Sequence, residues 1–176
     1  EHPRVAAPQA ALSETLLAAG DNAGAMRAID VAIRLDPDEE DYLYFRAVIH
    51  RSGARLQAAL ADIERAIASE PGSATMLAER CLIRARLRQP QALVDCDEAV
   101  EIDEDGPPRL IRAGVLALRG DNAAARAELT RATQLDPRSM GVKQALQAVL
   151  QRGRHAGMTP DTERQLTDMF GRDILR

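Results

Sequence analysis

One 18-residue stretch occurs twice in this chain and constrains its fold more than any other feature. Residues 20–37 read GDNAGAMRAIDVAIRLDP, and residues 120–137 read GDNAAARAELTRATQLDP. A glycine after a helix favours the left-handed conformation that ends it, and a following aspartate or asparagine can cap the next helix. The closing proline disfavours helical backbone in the residue before it. Each copy therefore predicts a turn, a capped helix and a stop.

Weaker copies of this pattern lie between the two stretches. Three series of small residues recur in one register, with steps of 32 to 34 residues: Ala25, Ala59, Ala92 and Ala125; Ala32, Ala66, Ala99 and Ala132; and Ser13, Ala47, Cys81 and Ala113. Small side chains let two helices cross at a short distance. The sequence therefore predicts an all-α fold, an α-solenoid of antiparallel helix pairs.

The register also divides the chain into segments. After a loose lead-in at residues 1–8, we predict four repeats at about 9–38, 39–72, 73–105 and 106–138. First helices are predicted at about 9–19, 39–52, 73–87 and 107–119, and second helices at about 22–35, 56–69, 90–102 and 122–135. A solenoid must cover its last apolar face. We assign that role to residues 139–176, as helices at about 139–151 and 160–170 and a tail, with contacts from Met158, Leu166, Met169 and Phe170.

The repeat unit resembles that of a known family. Helix-turn-helix units of about 34 residues, with small residues at the crossings and a closing proline, resemble the tetratricopeptide repeat (TPR). The resemblance covers about residues 6–137, with Gly20-Asp21 and Gly120-Asp121 at the turns and Pro37, Pro71 and Pro137 at the ends. The large aromatic residues usual in the family's first helix are replaced, for example by Leu43 and Leu77. We therefore expect shallower packing than in an aromatic-rich array.

One charged series follows the same register. The first helices carry Leu12, Arg46, Arg80 and Arg112, and the second helices carry Ala28, Asp62, Asp95 and Glu128. Arginine thus occurs in the three repeats that also have an acid. Because a guanidinium fork can bond a carboxylate in two places, we predict structural ion pairs within repeats. These are Arg46–Asp62, Arg80–Asp95 and Arg112–Glu128.

Composition argues against several functions. The net charge of −4 does not favour nucleic acid or an anionic membrane as partner, and no apolar run reaches the length of a membrane span. The arginines between residues 80 and 88 lie on more than one helical face, and the acidic run 101–105 lacks the spacing of a calcium loop. No catalytic, phosphate-binding or metal-binding motif is present. We therefore predict no cofactor, no metal and no enzymatic activity.

Two further questions stay open from the sequence. Cys81 and Cys96 are interpreted as small core residues, and a disulfide between them is the alternative, which requires Cα atoms within about 7 Å. The first residue is Glu1 rather than methionine, so we expect a processed or trimmed chain. The sequence does not decide between a cytoplasmic and a periplasmic location.

The resemblance implies where a partner would bind. In this family the first helices line a concave groove that commonly receives an extended peptide or a helix of another protein. The register places ten residues there: Leu17, Asp41, Tyr44, Val48, Arg51, Ala78, Leu82, Leu110, Gly114 and Ala117. Tyr44 is the expected anchor, although it could instead pack against a neighbouring repeat. The predicted function is a non-catalytic protein-interaction scaffold; the alternative is an oligomerisation or assembly segment of a larger protein.

Overall fold

The computed structural model contains helices, as the register predicts. It describes residues 3–104, 106–135, 146 and 160–175, and these residues form no strand. The predicted helix at 139–151, apart from residue 146, lies outside this part of the chain, as do Met158 and the stop at Pro137.

The described helices follow one another in pairs. Their bounds are α1 Pro3–Ala18, α2 Asn22–Leu35, α3 Glu40–Ser52, α4 Leu56–Ser69, α5 Ala74–Arg86, α6 Ala92–Ile102, α7 Pro108–Leu118, α8 Asn122–Leu135 and α9 Pro160–Phe170. A short 3-10 helix, Arg172–Leu175, follows α9. Each odd-numbered helix up to α7 packs against the helix that follows it. The prediction of an all-α array of helix pairs is confirmed.

The repeated glycine-aspartate turn has the geometry that its sequence predicts. Gly20 adopts φ +83°, and the amide of Asp21 donates to the Leu16 carbonyl over 2.9 Å. Asp21 then caps α2, because its Oδ1 accepts the Gly24 amide at 2.8 Å. The second copy repeats the turn, with Gly120 at φ +82°. This stretch is thus a turn and a cap.

Two other turns place a side chain where the repeated stretch places glycine. Ala54 and Arg88 both adopt φ +58°, whereas Gly53, the expected stop of α3, has φ −80°. A left-handed conformation costs an L-residue about 1 kcal/mol relative to glycine. We expect Ala54→Gly to raise the free energy of unfolding by about 1 kcal/mol. Urea unfolding measures this gain, and Gly120→Ala is the reciprocal variant that should lower stability. No gain in Ala54→Gly would contradict the assignment.

The N-terminal lead-in predicted at residues 1–8 is wrong for residues 3–8. Helix α1 begins at Pro3 and continues through Pro8. The reason is burial: Ala6 is 0% exposed, Ala10 is 5% exposed, and both pack in a cluster with residues of α2 and α3. A proline inside a helix removes one backbone hydrogen bond. Here the packed alanine face maintains the helix despite that loss.

The chain divides into two compact units, residues 1–72 and 73–176. The first contains α1–α4, with a cluster of four alanines, Ile29, Ile49 and Tyr42. The second contains α5–α9, with a cluster that includes Leu82, Leu129 and Phe170. In each unit the three register series are buried, which explains why large aromatic side chains are not needed at the crossings.

Candidate docking faces and ion-pair network

The structure brings together all three arginine–acid pairs of the register. Arg46 holds Asp62 with two bonds of 2.8 Å, from Nε to Oδ2 and from Nη2 to Oδ1. Arg80 Nη2 lies 2.7 Å from Asp95 Oδ1, and Arg112 Nη1 lies 3.0 Å from Glu128 Oε1. The three carboxylate residues are only 5%, 2% and 5% exposed. Charges this buried must be paired, so the network fixes how the two helices of each pair face one another.

Two of these arginines also reach back to the preceding helix pair. Arg46 Nη1 lies 3.2 Å from Asp30 Oδ1 of α2, and Arg112 Nε lies 2.6 Å from Asp97 Oδ1 of α6. We call each acid–arginine–acid set a relay. The first acid of each relay was not predicted from the sequence. A signal was present, because Asp30 and Asp97 both lie two residues after a position of the acidic series.

In the second unit Asp95 and Glu128 each bind more than one arginine. Arg84 Nη1 lies 2.9 Å from both oxygens of Asp95, and Arg109 Nη1 lies 2.9 Å from Glu128 Oε2. Two members of the arginine-rich segment between residues 80 and 88 therefore bind an acid of their own unit. This geometry gives no support to a phosphate-binding patch.

His50 lies beside the first relay. Its Nε2 is 3.7 Å from Asp62 Oδ2, which favours the protonated ring, yet its pKa is lowered below the ordinary 6.5. Burial is the largest cause, and the positive charges of Arg55 and Arg46 add to it against the opposing attraction of Asp62 and Asp30. Desolvation thus outweighs the ion pair, so the fold favours the neutral ring.

A pH dependence follows from this lowered pKa. Because the pKa of His50 is lower in the folded chain, the unfolded chain binds the proton more readily. The fold is therefore most stable above the pKa of the unfolded chain, and it loses stability as the pH falls below that value. We expect the free energy of unfolding to fall between pH 7 and pH 5, and to fall less steeply in His50→Gln. Urea unfolding across this range measures both slopes; parallel slopes would show that His50 titrates alike in both states.

The two cysteines are bonded to each other. Cys81 of α5 and Cys96 of α6 form a disulfide with Cα atoms 5.4 Å apart, and both residues are fully buried. The interpretation as small core residues was therefore incomplete, and the disulfide that the sequence left as an alternative is what the structure contains. The bridge lies next to the Arg80–Asp95 pair, so one helix pair carries two cross-connections.

The predicted groove residues of the first unit lie largely at its surface. Asp41 is exposed, and Leu17, Tyr44 and Val48 are partly exposed. The Tyr44 ring packs edge-on against Phe45, with centroids 5.3 Å apart. Arg51 is a correction, because it is only 7% exposed and belongs to the interior.

The predicted groove of the second unit is not open. Ala78 and Leu82 are each 2% exposed, Leu110 is 7% exposed, and Gly114 is buried; only Ala117 is partly exposed. Helix α9 packs against α5 and α7, Phe170 lies against Gly114, and Leu166 and Phe170 join the cluster that contains Leu82 and Leu110. The sequence predicted that residues 160–170 form a helix but placed it on the end of the array. In the structure this helix packs against the first helices α5 and α7.

Other kinds of site find no support in the described ranges. No group of three or more histidine, cysteine, aspartate or glutamate side chains there could hold a metal ion. No helix in the same ranges combines the length and apolarity needed to cross a bilayer.

Comparison with known proteins supports the fold. No family model and no curated protein matches the chain. Among solved structures, the thermophilic TPR protein TTC0263 of Thermus thermophilus is 20% identical, with a TM-score of 0.75 over 96% of this chain and 93% of that one. The TPR protein YrrB, described as having an unusual peptide-binding site, is 19% identical, with a TM-score of 0.58 over 92% of this chain and 84% of that one.

A larger protein matches over part of its length. The O-GlcNAc transferase of Thermobaculum terrenum is 18% identical, with a TM-score of 0.68 over 74% of this chain and 26% of that one. This chain therefore spans about a quarter of that enzyme. Together with the helix pairs, the buried small-residue register and the glycine-aspartate turns, these similarities establish that the chain has the tetratricopeptide-repeat fold.

Proposed function

We propose that this chain is a non-catalytic protein-interaction scaffold whose first unit binds a peptide or helix of a partner on the face of α1 and α3. The observation that carries the proposal is the position of Tyr44, a partly exposed aromatic side chain on that face. Asp41 and Val48 share its side of α3, because spacings of three and four residues return to one side of a helix. The face is thus apolar at its centre and acidic at one end.

A preformed face suits such binding. Edge-on packing against Phe45 limits the motion of the Tyr44 ring, so less side-chain entropy is lost when a partner covers it. The relay through Arg46 ties α3 to α2 and α4 and keeps the backbone beneath the face in place. Aromatic anchors on rigid elements commonly dominate the energy of an interface.

Replacement of Tyr44 by alanine tests this proposal. We expect Tyr44→Ala to weaken partner binding by about 2 kcal/mol, or roughly 30-fold, with little change in helical content or melting temperature. The partner would be captured with the wild-type chain, identified by mass spectrometry and titrated by calorimetry.

The other tyrosine provides the matched control. Tyr42 is only 9% exposed and belongs to the core cluster of the first unit, so Tyr42→Ala is expected to lower stability strongly. Wild-type affinity in Tyr44→Ala, or loss of folding in that variant, would contradict the assignment of Tyr44 as an anchor.

A second candidate is an assembly role through α1. Val5 and Leu12 are 51% and 46% exposed and lie seven residues apart, on one side of this helix. A molecular mass that rises with concentration and returns to that of one chain in Leu12→Glu would favour this candidate.

A further inference from the structure

The disulfide lies at two register positions that carry other residues in the remaining helix pairs. Cys81 belongs to the first-helix series Ser13, Ala47, Cys81 and Ala113. Cys96 lies four residues after Ala92, and the same position of the other second helices carries a large aliphatic residue: Ile29, Ile63 and Leu129. All of these side chains are between 0% and 4% exposed. Three helix pairs thus place a small and a large residue at these positions, whereas the pair of α5 and α6 has two cysteines.

As two free thiols, these cysteines would fill the crossing poorly. A cysteine side chain is smaller than isoleucine or leucine, so a thiol at position 96 leaves space that the other pairs fill. Cys81 is only slightly larger than the serine and alanines of its series, so it does not restore that volume. The bond compensates, because it holds the two helices together and restricts the unfolded chain. The pair therefore suits this crossing in its oxidised form.

Burial indicates when the bond is made. Cys81 and Cys96 are both 0% exposed, and Asp95 next to Cys96 is held by Arg80 and Arg84. Thiol–disulfide exchange requires direct attack of one sulfur on another, so an enzyme cannot reach these atoms once the unit has packed. A sequence separation of 15 lets the two cysteines meet readily in the unfolded chain. Oxidation therefore precedes the packing of the second unit.

The order of these steps restricts the compartment. The burial that excludes an oxidase from the packed unit also protects the bond from reductants. Before packing, however, the chain is open to both. The cytosol keeps exposed thiols reduced through glutathione and thioredoxin, whereas disulfides form and persist in oxidising compartments. A bond that must be made on the open chain therefore requires an oxidising compartment.

We propose that Cys81 and Cys96 are the substrate of a protein dithiol oxidase and that the chain functions in the periplasm. The thiolate of one cysteine attacks the disulfide of the oxidase, which breaks to give a mixed disulfide and one oxidase thiolate. The second cysteine then attacks the sulfur of the first, which forms the Cys81–Cys96 bond and releases the other oxidase thiolate. The oxidase disulfide gains the electron pair that the chain loses, and the thiol protons pass to solvent.

This assignment goes beyond the proposed docking face around Tyr44 and does not depend on it. Of the two locations that the sequence leaves open, the periplasm is oxidising and the cytoplasm is reducing. If both proposals hold, the partner is a protein that exposes its docking segment in the periplasm.

The test follows the thiols of the full chain in cells. A bacterial host would retain the chain in the cytosol, export it to the periplasm, or export it in a strain that lacks the periplasmic dithiol oxidase. Newly made chain would be quenched with acid and treated, unfolded, with a maleimide–polyethylene glycol reagent that adds mass to each free thiol. We expect both cysteines to be labelled in the cytosol, neither after export, and both again without the oxidase.

The second repeat supplies a matched control. Cys81→Ala/Cys96→Ile gives α5 and α6 the residues found at Ala47 and Ile63, so its packing does not depend on an oxidant. Wild type retained in the cytosol should be cleaved by added thermolysin roughly tenfold faster, or more, than exported wild type. The variant should be cleaved at one rate from both locations. The thiol labelling does not use this variant and tests the proposal even if the variant does not fold.

The location itself is measured in the organism that carries the gene. Fractionation with the same quench and reagent should recover the chain in the periplasmic fraction with neither cysteine labelled. Three outcomes would overturn the proposal. They are a bond that forms in the cytosol of the host, an exported chain whose oxidation is unaffected by loss of the oxidase, and a native chain found in the cytosolic fraction. In the last case, labelling that varies with growth conditions would identify the cysteines as a redox switch.

Discussion

Asp95→Ala is expected to lower the free energy of unfolding of the second unit by about 3 kcal/mol. Asp95 is 2% exposed and accepts hydrogen bonds from both Arg80 and Arg84, whose side chains are 17% and 18% exposed. Removing the carboxylate leaves two mostly buried guanidinium groups without their common acid. Urea unfolding followed by circular dichroism measures the loss.

Asp97 provides the matched control two residues along the same helix. Its pair with Arg112 is as short as 2.6 Å, but its side chain is 51% exposed. An exposed ion pair contributes little, so Asp97→Ala should cost less than about 1 kcal/mol. Equal losses in the two variants would mean that burial does not set the strength of these pairs. A replacement of Arg80, Arg84 and Asp95 together by apolar residues should recover much of the loss.

Reduction of the Cys81–Cys96 disulfide is expected to destabilise the second unit by about 3 kcal/mol, because a sequence separation of 15 closes a short loop that restricts the unfolded chain. Thermal unfolding with and without a strong reductant measures the difference. The chain contains no other cysteine, so the effect has one origin.

The double variant Cys81→Ala/Cys96→Ala serves as the control for this prediction. It should unfold at the lower temperature and be insensitive to reductant. Two titratable thiols in the native protein under oxidising conditions, or identical melting of wild type with and without reductant, would contradict the bond.

Much of the helical frame could be predicted from the sequence alone. The bounds of α2, α4 and α8 agree with those read from the glycine-aspartate turns and from the register. Local chemistry decides these ends, since capping and the conformational limits of glycine and proline act within a few residues. The three ion pairs could also be predicted from the sequence, because arginine and an acid occur together in three repeats and are both missing from the remaining one.

What the sequence did not predict depends on tertiary contacts. Pro8 indicated a loose segment, but burial of Ala6 and Ala10 maintains the helix. The amphipathic pattern of residues 160–170 predicted a helix without saying which apolar surface it covers. Gly114 was assigned to an open face, whereas it is the point at which Phe170 approaches most closely. Periodicity identifies an apolar side of a helix but does not identify its partner.

Site-specific photo-crosslinking is the most direct test of the claim that partners dock on the first helices. A photoreactive phenylalanine would be placed at Tyr44 on α3 and, as a control, at the exposed Ala68 on α4. Docking on the first helices predicts crosslinks to the captured partner from position 44 and none from position 68. Crosslinks from position 68 alone would place the docking surface on the second helices and contradict docking on the first helices.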